Sequence, residues 1–352
     1  VPTGALLGRL GLRPAMVVGA ALVAGGTGGL ALAESLSEVI AAQLAAGVGT
    51  SLWEVSRHAY VAEAVPSARR GRALSVFGGL QRIGILGGPA VGGGVGAAIG
   101  LEAAFVLAAG LAVVALGLAF LGSQSLPPRT RALGAGARWR LVGSLVRTAG
   151  RDLSAAAVAQ TFGQVIRAGR QLVIPLYGAE ALGLGVAQVG TIMSSAAVID
   201  AAMFLPAGML MDRFGRKVAA VPSFALMAAG VALVPLASGY PGLLAAAALI
   251  GLGNGLGSGT MMTLGADLAP PEAAGEFLGL WRLVGDTGRV GGPLVVGTMA
   301  AALGLGGSAL ALAGIGLAAA LTLALLVHET GPASRDRAAG SKAQRQAPPS
   351  PP

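Results

Sequence analysis

Cysteine is absent from the 352 residues, and histidine occurs only twice. The first absence excludes disulfide frameworks and thiolate metal sites, and the second argues against a histidine-rich metal centre. Charge is scarce as well: Asp, Glu, Lys and Arg make up 11% of the chain, where a soluble domain carries about a quarter. Aromatic residues stand at 4%, which leaves little to build a stacking site for flat ligands. No Walker sequence, catalytic triad or metal-ligand cluster is present, so the chain reads as a non-enzyme with no cofactor and no metal. What is abundant is apolar: 54% of residues are hydrophobic and 59 are glycine. A chain of this length with so few charges places its outer surface in lipid.

Ten stretches are long and apolar enough to be read as transmembrane helices: 14–33, 38–62, 73–98, 101–122, 153–177, 187–207, 218–237, 241–265, 276–300 and 307–327. Each needs about twenty mainly apolar residues to cross the hydrocarbon core. The runs are continuous and do not alternate, which argues against β-barrel strands. Residues 1–7 read as the last turns of an eleventh span, and nothing at the start resembles a secretory signal. The expected class is an all-α polytopic membrane protein.

The charges orient it. Segments 8–13, 63–72, 123–152, 208–218, 266–275 and 328–352 hold 18 of the 24 Lys and Arg residues, and the intervening connections hold none. Cytoplasmic loops carry the basic excess, so alternate connections lie inside and the C-terminus is cytoplasmic. The net charge of +9 is thereby a topology signal, and nucleic acid is not expected as a partner. The connection 123–152 is the longest, with six arginines and Pro127-Pro128 at its start. It reads as a basic cytoplasmic linker near anionic lipid, or as carrying a short interfacial helix around Trp139. The organisation expected is an incomplete N-terminal bundle over 1–122, the linker, a six-helix C-terminal bundle over 153–328, and a disordered tail over 329–352. Pro348-Pro349-Ser350-Pro351 in that tail fits a polyproline ligand by composition alone.

An internal repeat runs at a constant offset of 204 residues. It places Gly4-Ala5-Leu6-Leu7-Gly8-Arg9-Leu10-Gly11 on Gly208-Met209-Leu210-Met211-Asp212-Arg213-Phe214-Gly215, and Gly47-Val48-Gly49 on Gly251-Leu252-Gly253. Glu63 and Pro66 fall on Asp267 and Pro270, and Gly84, Gly88, Pro89 and Gly93 fall on Gly288, Gly292, Pro293 and Gly297. Two parallel halves related about the membrane normal are a transporter architecture. The second half has two spans ahead of Gly208 that the first half lacks. The expectation is that about fifty residues, roughly two spans, precede Val1 in a twelve-helix protein.

These residues resemble the major facilitator superfamily over nearly the whole chain. Gly208, Asp212, Arg213, Gly215, Arg216 and Lys217 match that family's cytoplasmic motif between the second and third helices of a half. The resemblance implies a gating role: Asp212 near the positive end of a neighbouring helix, the basic residues on carboxylates or headgroups, and Asp267 as partner of Arg216. The first copy departs from the pattern, with Gly8 at the acid and Leu12 at an arginine. Gly84, Gly87, Gly88, Pro89, Gly92 and Gly93 resemble the family's fifth-helix antiporter motif, although Ser75 stands where the longer form has glycine. Glycines at intervals of four read equally as a helix-packing ridge. Gln43 occupies the place of a fourth-helix arginine that the family links to proton coupling. Glu54 and Arg57 read as a local ion pair, and His58 as an interfacial residue without catalytic duty.

Charges within spans cost about 2.5–3.5 kcal/mol near the bilayer centre, so each calls for a reason. The candidates for substrate or proton binding are Asp200, Arg167, Arg170, Arg82, Asp286 and Arg289, with Gln43. Arg82 and Asp286 are repeat counterparts of opposite sign. Asp200 reads as a cavity-facing acid or as half of a structural salt bridge, and Asp286 as a neutraliser of Arg282 or Arg289. The positive surplus points to an anionic substrate or to acids supplied from elsewhere. The glycines of 251–257 sit in mid-span and do not form a phosphate-binding turn.

The expected function is secondary active transport of a small solute by alternating access. The leading form is proton-coupled efflux from a bacterial inner membrane by a lipid-embedded monomer. Two alternatives stand beside it: an importer or symporter of a small organic anion, and a non-transporting gene fragment.

Overall fold

The computed structural model describes residues 11–64, 67–124, 150–269 and 274–330, and among them every regular element is helical. The chain divides into two compact units, Val1–Gly134 and Ala135–Pro352. The first holds α1 (Leu12–Ala31), α2 (Leu36–Ala64), α3 (Ser67–Ala98) and α4 (Leu101–Gly122). The second holds α5 (Arg151–Leu176), α6 (Val186–Ala202), α7 (Phe204–Phe214), α8 (Arg216–Leu233), α9 (Tyr240–Leu256), α10 (Thr260–Leu268) and α11 (Ala274–Leu326). Gly304, at φ 72° and ψ 174°, breaks α11 into two helices.

Each of the ten expected stretches is mainly helical, with breaks inside 187–207 and 241–265. Among the described residues, six helical segments are long and apolar enough to cross a membrane: Leu12–Ala31, Leu101–Gly122, Val186–Phe214, Arg216–Leu236, Tyr240–Leu268 and Phe277–Leu326. The last merges the spans expected at 276–300 and 307–327. The helices at 38–62, 73–98 and 153–177 run to 29, 32 and 26 residues. They are more polar because α2 carries Glu38, Glu54, Arg57 and Glu63, α3 four arginines, and α5 Arg151, Asp152, Arg167 and Arg170.

Packing follows from residue size. In the first unit α1 lies between α2 and α4. In the second, α5 packs along α11, α8 against α9 and α11, and α9 against α6. The buried centre of that unit is formed by Ile166, Ile192, Phe224, Met227, Ile250 and Leu312, all below 2% exposure. Lipid offers no hydrophobic drive between helices, so close fit has to supply association. α9 shows how: a Cβ on Gly253 would stand 2.7 Å from the Met227 amide nitrogen and 2.8 Å from the Ser223 carbonyl oxygen of α8. Glycine spacing thus lets α9 wedge between α6 and α8, which is the role of the 251–257 string. In contrast, a Cβ on Gly84, Gly88 or Gly92 of α3 meets nothing within 4 Å in its own unit. On α4, Val106, Leu111, Val114, Leu118 and Leu121 are all more than half exposed. Such a face in water would be an aggregation surface; in a bilayer it meets acyl chains.

Candidate functional site

Two helix breaks meet in the second unit. Between α6 and α7 the chain interrupts at Met203, whose N–H donates to the carbonyls of Ile199 and Asp200, both at 3.2 Å. Between α9 and α10 it interrupts at Gly257–Gly259, where Gly259 takes φ 79°. Discontinuous helices expose backbone carbonyls at membrane depth, and these are tolerated where side chains satisfy them. Here Arg167 Nη2 of α5 donates to the Gly257 carbonyl at 3.0 Å, and Thr260 Oγ1 donates to the same oxygen at 2.8 Å. The Arg167 guanidinium also sits over the Phe224 ring, 5.2 Å from its centroid.

Asp200 stands one turn from the first break. Its Oδ2 accepts a hydrogen bond from Asn254 Nδ2 of α9 at 2.6 Å, and Arg170 Nη2 lies 3.7 Å from the same atom. Arg167 and Arg170 are three residues apart and share a face of α5. Arg170 and Asp200 are 13% and 26% exposed in their side chains. Three of the expected charged candidates, Arg167, Arg170 and Asp200, are therefore brought together. Arg289 of α11 is near enough to Arg167 to act on it electrostatically, although its side chain is exposed, while Asp286 is half-buried. Asn254 was not anticipated as the partner of Asp200. Its sequence signal was an amide in a glycine string, 54 positions away.

A second cluster surrounds the turn between α7 and α8. Arg216 Nε donates to Asp267 Oδ2 at 2.8 Å, with the two side chains 11% and 9% exposed. Arg216 Nη1 donates to the Met211 carbonyl at 3.1 Å. Glu329 caps α8: its carboxylate accepts the Arg216 N–H at 2.7 Å and the Lys217 N–H at 3.0 Å, where the helix dipole favours a negative group. Thr330 Oγ1 donates to Asp267 Oδ2 at 3.0 Å, and Lys217 Nζ to the Ala324 carbonyl at 2.8 Å. Gly215, at φ 106°, is required here twice over: its backbone is left-handed, and a Cβ would stand 2.5 Å from the Glu329 carboxyl carbon. We call this cluster the clamp.

Within this unit Arg216 and Asp267 pair as the resemblance implies, and Asp212 stands apart from them. Asp212 is 85% exposed and only 4.0 Å from Arg216 Nη1. Within this unit the helix start is capped by Glu329, a residue that composition assigned to the tail. Arg213 stacks 5.3 Å from the Phe214 ring centroid, and Gly208 lies on α7.

In the first unit Gln43 lies exposed on α2, and Gly84, Gly88, Pro89, Gly92 and Gly93 lie along α3. Arg57 Nη2 donates to Gln81 Oε1 at 3.2 Å and lies 5.9 Å from the Trp53 ring centroid, with Glu54 acting on it electrostatically. Arg82 is on α3, but its side chain, like those of His58 and Glu63, lies outside the described residues. So do residues 4–10 of the first motif copy, Pro66, the linker arginines from 129 to 147 with Trp139, and the tail from 331. Among the described residues no group of three His, Cys, Asp or Glu side chains is arranged to hold a metal.

The Major Facilitator Superfamily model matches residues 1–166 and again 157–351. The chain belongs to the Major Facilitator Superfamily. It is therefore a multi-pass membrane transporter and not an enzyme. It is 28% identical over 296 residues to the multidrug resistance protein MdtH of Aeromonas hydrophila subsp. hydrophila, a match covering 82% of this chain and 72% of that protein. The fold resembles a POT family transporter solved with 5-aminolevulinic acid, at TM-score 0.72 and 15% identity over 92% of this chain and 83% of that one. It also resembles a D-xylose-proton symporter, at TM-score 0.72 and 19% identity over 93% and 84% of the two chains.

Proposed function

We propose that this superfamily transporter exports a small solute in exchange for protons, with Asp200 as the coupling acid. The observation that carries the reading is the Asp200 carboxylate, held at 2.6 Å by Asn254 and facing Arg170 at 3.7 Å beside two helix breaks. An acid so placed has two distinct states. Ionised, it balances Arg170; protonated, it releases that cation while the Asn254 amide stays in reach. A proton thereby changes which charges the site presents, which is what coupling needs. Export is favoured by the relative's name, multidrug resistance protein, and by the antiporter-like helix with Pro89.

The same reading has the helices of all ten expected stretches crossing the bacterial inner membrane in a monomer whose C-terminus is cytoplasmic. The basic connections support that orientation. The clamp of Arg216, Lys217, Asp267 and Glu329 then lies on the cytoplasmic side and opens as the transporter changes state. Arg82, Arg289, Asp286 and Gln43 remain candidates to line the path.

The test is transport in vesicles under an imposed pH gradient, comparing wild type with Asp200→Asn. Asparagine keeps the shape and loses the titratable proton. The expected result is transport that no longer responds to the gradient. Unchanged gradient dependence in the variant overturns the assignment, and solute accumulation in the direction of proton flow replaces export with symport.

A further inference from the structure

We propose that the second unit carries a carboxylate-binding subsite formed by Arg167 and Arg170, so that the solute moved is an organic acid. The inference rests on the transport reading above and adds the chemical class of what is carried.

The observations are steric and electrostatic. Both arginines are partly buried on one face of α5, and each has a buried Nε without a hydrogen-bond partner. For Arg167, Nη2 is committed to the Gly257 carbonyl and the flat face to Phe224. For Arg170, Nη2 faces Asp200 at 3.7 Å, beyond hydrogen-bond range. Asp200 is satisfied instead by the neutral Asn254 amide. One carboxylate thus stands against two close arginines, and Arg289 adds to the repulsion on Arg167. Asp286 shares α11 with Arg289.

A buried cation with an unmet donor is costly, and sites with that shortage are completed by a partner of opposite sign. The donor set selects the partner. An arginine offers Nε–H with one terminal N–H as a parallel pair, and that edge matches the two oxygens of a planar carboxylate. A halide has no second oxygen to use the pair. A neutral amide accepts at one oxygen, carries no charge, and leaves the surplus unbalanced. The two arginines lie beside interrupted helices, the element from which transporter solute sites are built.

The test uses the purified full chain in detergent and reads its thermal unfolding midpoint. Sodium acetate, benzoate and glutarate are titrated against acetamide, benzamide and sodium chloride at matched ionic strength. The expected result is a saturable rise with at least one carboxylate and none with its amide or with chloride. Arg170→Lys, which keeps the charge but loses the paired edge, weakens the apparent affinity about tenfold. Arg167→Lys gives the same readout through the second arginine if the first variant does not fold. The proposal is overturned if none of the three carboxylates shifts the midpoint. It is equally overturned if amide or chloride shifts it as much, or if both lysine variants bind as wild type does. Because this is a binding measurement without a pH gradient, its failure leaves the Asp200 coupling assay standing, and failure of that assay leaves this one standing.

Discussion

The Glu329 carboxylate lies across the start of α8 and accepts the backbone N–H of Arg216 at 2.7 Å. The same carboxylate takes the next N–H, from Lys217, at 3.0 Å. It therefore satisfies two of the helix's orphan donors at once, and places its charge where the backbone dipole is positive.

Replacing Glu329 by Gln removes the charge and one good acceptor. The expected cost is about 0.5–2 kcal/mol, the range of lost helix caps. Thermal unfolding in detergent measures it. The chain has no native cysteine, so a single cysteine at buried Leu264 of α10 reports the same change as faster thiol labelling. A labelling rate identical to that in the Glu329 background counts against the capping role.

Asp267 and Asp212 separate in energy. Asp267→Asn takes from Arg216 its close ion-pair partner and leaves only exposed Asp212 at 4.0 Å, a loss of about 3 kcal/mol where burial is deep. Asp212→Asn changes a side chain that is 85% exposed, and costs less than about 0.5 kcal/mol. Equal losses of unfolding temperature in the two variants would show that the clamp is not centred on Asp267.

Gly253→Ala places a methyl group 2.7 Å from the Met227 amide nitrogen. Backbone cannot move aside as a flexible side chain can, so α9 has to back away from α8. Overpacking of this kind costs about 1–3 kcal/mol. Gly84→Ala, whose Cβ meets nothing within 4 Å in its unit, is the comparison. It is expected to leave the stability of its own unit nearly unchanged in the same denaturation experiment.

Trp281 Nε1 donates to the Met261 carbonyl at 2.8 Å, and the ring is 2% exposed. Trp281→Phe keeps most of the apolar volume and removes the donor. The expected loss is about 0.5–1.5 kcal/mol, the net worth of one hydrogen bond, because the Met261 carbonyl keeps its place in the α10 ladder. Near-ultraviolet circular dichroism during thermal unfolding resolves it. An unchanged midpoint would mean that water replaces the indole.

Helix positions were legible in the sequence because apolar length is a local property. The Arg216–Asp267 contact was legible too, through the motif and its counterpart one repeat away. What was not legible depends on pairings between distant segments. Asn254 reaches Asp200 only because the glycines beside it let α9 close on α6. Glu329 sits at the edge of a polar, proline-containing tail, and composition alone sorted it with that tail. Its capping role follows from where α11 ends relative to the start of α8. Nor does a hydropathy run reveal the breaks at Met203 and Gly257–Gly259, since interrupted helices stay apolar throughout.

Those breaks have a mechanical consequence. α7 and α10 each begin beside the Asp200 region and end at the clamp, spanning 11 and 9 residues. At 1.5 Å per residue they are rods of about 16 and 13 Å. A helix transmits torque along its length, but a break lets the two sides turn separately. The unit therefore has two short helices that start near the buried acid and are linked at their far ends through Arg216, which bonds the Met211 carbonyl and Asp267. Either short helix can thus turn about its break without bending the glycine-packed length of α9.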